Sequence, residues 1–205
     1  MVRTTYYNVV LDLFIPKFHG TTSDTIRYDT SNNDYTYEIV ARKKNHSKKV
    51  VFRFANHPLL QSLISQNDAV FIGTYTTDLP FPLVQGPYGV PFLLNFPGSG
   101  QHRVRGELYS VSDHGLEKLD DLEGITLGHY ERLPVKVVAE NGGVPATVEA
   151  MAYYGHRSFA EDMWRKVGEV GFGEYSHELE KCYVKRDLRP KDTSFRDHIR
   201  LFCSS

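Results

Sequence analysis

The chain has 205 residues, of which 40% are hydrophobic, 13% aromatic and 24% charged, with a formal net charge of -1. That composition supplies a core for one domain with extensions and excludes a chain disordered throughout. A charge so close to zero argues against a protein built chiefly to bind nucleic acid, and no window reaches the ~18 apolar residues of a membrane-spanning helix.

The first residues, MVRTTYYNVVLDLFIPKF, form an apolar run broken by Asp12 with no small-residue cleavage site after it, so no signal peptide is expected. Residues 1–49 go on through TTSDTIRYDTSNNDYTYE and ARKKNHSKK, both polar and rich in turn formers. They offer one candidate strand near Tyr6–Phe14, with Ile39 and Val40 isolated before the basic run, and are expected to form a divergent, loosely ordered N-terminal extension. Lys43, Lys44, Lys48 and Lys49 read as a solvated charge run. Asn45-His46-Ser47 is a sequon that a cytoplasmic chain would not use.

Residues 50–205 are expected to hold the folded domain. Val50-Val51-Phe52 is strand-like. Asn56 is placed to cap, and Pro58 to open, a helix whose Leu59, Leu60, Leu63 and Ile64 share a face. Val70–Tyr75 reads as a strand. Leu79–Phe96 reads as short strands, with turns at Gly86-Pro87 and Pro97-Gly98-Ser99-Gly100. Val104–Val111 alternates as a strand should. In the stretch SDHGLEKLDDLEG, Ser112 caps a helix, Leu116, Leu119 and Leu122 form its apolar stripe, and Gly124 ends it in the left-handed conformation. Strands are predicted at Glu131–Val138 and Val148–Tyr154, a helix around Trp164, and a closing helix over Phe195–Phe202. Several short strands with few helices argue for a small barrel or curled sheet. Cys182 and Cys203 make no CxxC or zinc pattern, which favours a reduced, cytoplasmic compartment.

Glu123 is the first candidate for chemistry. It follows Leu119 by four residues and Leu116 by seven, beside the apolar stripe. Desolvation raises a carboxylate's pKa, and a carboxyl that titrates near neutrality can both take and return a proton. The alternative is a partly exposed residue at a fraying helix end, and position alone leaves both open. Asp120, Asp121 and Glu117 should point more toward water. The amides of Pro97-Gly98-Ser99-Gly100 could bind an anion or simply close a hairpin. Nine histidines show no HxxxH or HExxH spacing, so no metal site is expected. Tyr130, Tyr153 and Tyr154 read as core or rim, although Tyr130, seven residues past Glu123, could reach the same cavity.

The run from Phe81 to Val137, FPLVQGPYGVPFLLNFPGSGQHRVRGELYSVSDHGLEKLDDLEGITLGHYERLPVKV, resembles the γ-glutamylcyclotransferase family. The matching elements are PLV, VPFLL, PGSG, GELY, the helix ending in DDLEG, and Tyr130-Glu131-Arg132. The likeness covers about residues 54 to 155 and is nearest to the γ-glutamylamine cyclotransferase branch and the plant avirulence-induced-gene-like proteins. The tail YVKRDLRP…SFRDHIRLF looks like plant members. The resemblance implies an α+β fold, a small closed β-barrel with helices packed outside. It implies cyclisation of a γ-glutamyl group to 5-oxoproline with release of an amine or amino acid. The partner implied is a small γ-glutamyl substrate, with no nucleic acid and no membrane. No metal or organic cofactor is implied. Glu123 falls on the catalytic glutamate of the family's DD(L/F)E motif, and Tyr130 on a substrate-pocket tyrosine. One departure stands out. The family's first strand leads into a Tyr-Gly-Thr-Leu loop whose amides hold substrate, and Lys48–Arg53 stand in its place here. Two classes follow: a cyclotransferase with a rebuilt oxyanion site, or a catalytically impaired barrel that is either kept for binding or a truncated isoform.

Overall fold

A computed structural model of the chain describes residues 25–27, 38–40, 49–53, 57–140 and 147–205. The chain divides into two units, Met1–Ser47 and Lys48–Ser205. In the first, β1 (Thr25–Arg27) pairs antiparallel with β2 (Glu38–Val40), Thr25 opposite Val40. This ladder corrects the reading of Ile39 and Val40 as isolated, since strands of three residues are too short to leave an alternating apolar signal. The strand expected near Tyr6–Phe14 lies outside the described residues.

The strands of the second unit are β3 (Lys49–Arg53), β4 (Ala69–Pro80), β5 (Leu83–Gln85), β6 (Pro91–Leu93), β7 (Arg103–Val111), β8 (Tyr130–Ala139) and β9 (Thr147–Gly155). Hydrogen-bonded neighbours run β3-β7-β4-β8-β9-β6-β5, and β3 also pairs with β9. Strands β3, β7, β4, β8 and β9 therefore close into a five-stranded barrel, which leaves no edge among them. β3 is antiparallel to β7, Val51 opposite Tyr109, and parallel to β9, Phe52 opposite Ala152. It is the strand that completes the ring.

Strand parity sorts the core into two layers. Phe52, Tyr75, Leu108, Val137, Ala152 and Tyr154, at most 1% exposed, fill the lumen. The opposite face carries Val51, Tyr109, Val111, Tyr130 and Tyr153, which join Leu60, Leu63, Leu116, Leu119 and Ile199 of the helices in one cluster. The covering helices explain why β7 and β9 alternate at first and are then buried at every residue. Gly106 makes the β3 contact possible: a Cβ there would stand 2.4 Å from the Arg53 carbonyl oxygen and 2.6 Å from the Phe52 ring.

Among the described residues five α-helices pack outside: α1 (Pro58–Ser65), α2 (Asp113–Glu123), α3 (Arg157–Lys166), α4 (His177–Glu180) and α5 (Phe195–Ser204). The cap of α1 is His57, whose Nδ1 accepts from the Leu59 amide at 3.1 Å, and not the expected Asn56, which lies outside the described residues. Pro58 sits at the first helical position and forces its predecessor into extended backbone, so the cap falls on residue 57. α2 is built as its sequence predicts. Ser112 Oγ accepts from the Gly115 amide at 3.0 Å, and Gly124 ends the helix at φ 65°. Leu119 is fully buried and Leu116 nearly so, each stabilising by about 1.5–3 kcal/mol. Along the C-terminal tail, the Arg189 guanidinium lies 5.1–5.7 Å from the rings of Tyr88, Tyr183 and Phe195. Among the described residues no helix is long and apolar enough to cross a membrane.

Candidate active site

The last turn of α2 meets the end of β3. Arg53 shares strand parity with Val51, so it points to the helix-covered face of the barrel. There its Nη2 forms an ion pair with Glu123 Oε1 at 2.9 Å, with the two side chains 9% and 16% exposed. Its guanidinium carbon also stands 5.9 Å from the centre of the Tyr153 ring. Glu123 therefore faces inward, held by a cation, rather than standing at a frayed end.

Asp120 corrects an expectation. It lies three residues before Glu123 and so shares its helix face. Instead of pointing to water, its Oδ1 accepts the Tyr153 hydroxyl at 2.8 Å and pairs with Arg132 Nε at 3.0 Å. Glu117 and Asp121 are exposed, as expected. The carbonyl of Leu122 accepts from Arg186 Nη2 at 2.9 Å, so the C-terminal tail reaches back to the helix end beside Glu123.

Tyr130 is 8% exposed, its hydroxyl donates to the Pro91 carbonyl at 2.8 Å, and its ring stacks on Phe92 at 4.9 Å between centroids. Burial holds this phenol well above its ordinary range, and the charge of Glu123 pushes the same way. Tyr153 is raised by burial first and then by Asp120. Both rings stay neutral at any physiological pH. Tyr109 turns elsewhere, donating to Glu107 at 2.6 Å. His57 is lowered from its usual value by burial, with Arg53 and Arg186 adding and Glu123 opposing. His129 is lowered by burial and by Arg186 and Arg196. The site thus combines two carboxylates, each beside a guanidinium, with neutral phenols and histidines that resist protonation.

The turn Pro97-Gly98-Ser99-Gly100 belongs to the fold. Its Gly98 amide donates to Pro80 at 2.7 Å and its Ser99 amide to Phe96 at 3.1 Å, so both are spent on the turn. Gly73-Thr74-Tyr75 lies inside β4. Sequence reasoning missed Arg53, Asp120 and Arg186. For Arg53 a signal was present: in Lys49–Arg53 the odd positions share the face of Val51, which a barrel turns toward its helices.

The model of the "Gamma-glutamyl cyclotransferase, AIG2-like" family matches residues 52–170. An Arabidopsis thaliana protein provisionally named a γ-glutamylcyclotransferase is 49% identical over 162 residues, which are 74% of this chain and 86% of that one. A γ-glutamylaminecyclotransferase C of Danio rerio is 35% identical over 113 residues, 54% of this chain and 72% of that one. In structure, an AIG2-like protein of Mus musculus superposes with a TM-score of 0.56 at 25% identity, over 73% of this chain and 100% of the mouse chain.

Proposed function

The chain belongs to the γ-glutamyl cyclotransferase, AIG2-like family, and from that premise we propose that it cyclises the γ-glutamyl group of a small substrate to 5-oxoproline, with Glu123 as its acid and base. The observation that carries this reading is the inward-facing Glu123 at the end of α2, within the matched residues. A cytoplasmic setting agrees with the free Cys182 and Cys203.

The reaction is an internal aminolysis. The substrate's α-ammonium is inert until it loses a proton. Once free, the amine attacks the γ-carbonyl carbon, a ring C–N bond forms, and the bond to the leaving nitrogen breaks. Of the three hydrogens on the ammonium, two end on the departing amine and one stays on the lactam. Glu123 takes a proton from the ammonium and returns it to the leaving nitrogen, so one carboxyl serves both halves. Such transfer contributes typically ~10²–10⁴ in rate, and folding the chain so that its two ends meet contributes further. Arg186 on the Leu122 carbonyl and the left-handed Gly124 fix the helix end that carries Glu123. Tyr130, anchored on Pro91 and stacked on Phe92, offers a rigid wall against which the substrate folds.

The experiment is release of 5-oxoproline from γ-glutamylamines and γ-glutamyl amino acids, followed by mass spectrometry. Turnover above the uncatalysed background supports the reading. A folded chain that releases none from either class would refute it and leave a barrel that only binds.

A further inference from the structure

Arg53 is over-supplied with donors for the one bond it makes. Its side chain is 9% exposed. Nη2 is taken by Glu123, while Nε and Nη1 are buried with no hydrogen-bond partner among the described residues. Buried guanidinium N–H groups left unpaired are costly, and either of these two, together with the second N–H of Nη2, forms the planar fork that matches a carboxylate. The surrounding charges point the same way. Glu123 is balanced by Arg53, and Asp120 by Arg132. Arg186 donates to the neutral carbonyl of Leu122 and pairs with no carboxylate among the described residues. These five charges sum to one positive, with Arg186 itself exposed to solvent, so an entering anion is attracted rather than repelled.

We propose that Arg53 holds the α-carboxylate of the γ-glutamyl group, an assignment that rests on the reaction proposed above. In that group the carboxylate and the ammonium stand on one carbon. A carboxylate seated on the guanidinium that already touches Glu123 delivers the ammonium to Glu123 itself. Arg53 then selects the substrate and aims its nucleophile through the same contact. The product, 5-oxoproline, keeps the carboxylate, so it reports on the site without any turnover.

The test is calorimetric titration of the full chain with 5-oxoproline and with 2-pyrrolidinone, the same lactam lacking the carboxylate. The wild-type chain should bind 5-oxoproline at least about tenfold more tightly, the scale of a hydrogen-bonded charge. Arg53→Met should erase that preference. Arg53→Lys, which keeps the charge but loses the fork, guards against a Met variant that fails to fold and should retain only part of it. In kinetics, Arg53→Lys should lower kcat/KM for a γ-glutamylamine at least about tenfold more than it lowers kcat/KM for 4-aminobutyramide, which has no α-carboxylate. Equal wild-type binding of the two lactams would overturn the proposal. So would an equal loss confined to kcat on both substrates, which would make Arg53 an oxyanion donor. An Arg53-dependent preference in a chain with no turnover would leave the carboxylate site standing and refute the reaction. Turnover with no such preference would do the reverse.

Discussion

Tyr130 shows how much a single hydroxyl does in this site. Tyr130→Phe keeps the ring stacked on Phe92 but leaves the Pro91 carbonyl without its donor. The change should cost about 1 kcal/mol in stability and leave kcat within a few-fold, because the proposed wall is the ring and not the phenol. Chemical denaturation and steady-state kinetics check the two halves, and a loss of kcat by orders of magnitude would give the hydroxyl a chemical role. At this scale the sequence was informative where a motif or a helical spacing marked a residue. Glu123 lay beside its stripe, and Tyr130 followed in reach. Arg53 and Asp120 were hidden because their partners are remote in sequence. Arg53 meets Glu123 across 70 positions, and Asp120 meets Tyr153 across 33. A charged residue at a strand end or one step off an apolar stripe looks solvated until the fold supplies its partner.

The helices make separate predictions through their ends. His57 caps α1 through Nδ1, and its pKa lies below the usual 6.5 because burial, Arg53 and Arg186 disfavour the imidazolium. The unfolded chain therefore takes the proton first as pH falls. The contribution of neutral His57 is present above the unfolded pKa and is lost on acidification, when a protonated ring can no longer accept from Leu59. His57→Asn keeps an acceptor that does not titrate. Between about pH 7.5 and about pH 5.5, the melting temperature of the wild type should fall more than that of His57→Asn. Parallel curves would contradict the cap's role. His129 titrates in the same direction in both proteins, so the difference isolates His57. At the other end of α2's last turn, Gly124→Ala puts a Cβ 2.5 Å from His129 Nδ1 at φ 65°. It should destabilise by at least about 1–2 kcal/mol, read by denaturation. Local chemistry fixed α2 from Ser112 to Gly124 because every signal there is contained in one short window. α1 was displaced by one residue at its cap because the proline, not the asparagine, sets where a helix begins.

At the scale of the molecule, barrel closure assigns a different weight to each part of the N-terminal region. β3 pairs on both sides, with Val51 and Phe52 at most 1% exposed, and it begins at Lys49, the last residue read from sequence as extension. Removing residues 1–47 should leave a cooperative thermal transition shifted by no more than a few degrees. Removing residues 1–53 opens the ring between β7 and β9 and should abolish that transition. A cooperative melt in the shorter protein would show that the barrel closes without β3. The barrel class was legible from short strands punctuated by proline and glycine, but closure was not, because the parallel β3–β9 pairing joins residues about a hundred positions apart. The central claim is that this fold exists to let Glu123 move protons within a γ-glutamyl substrate. Its most direct test is mass spectrometry of 5-oxoproline released from a γ-glutamylamine by the wild type and by Glu123→Gln, which preserves size and a hydrogen-bond acceptor toward Arg53. The account predicts release by the wild type and a loss of at least about 100-fold in the variant, with the variant still folded by circular dichroism. Undiminished release from Glu123→Gln would contradict it.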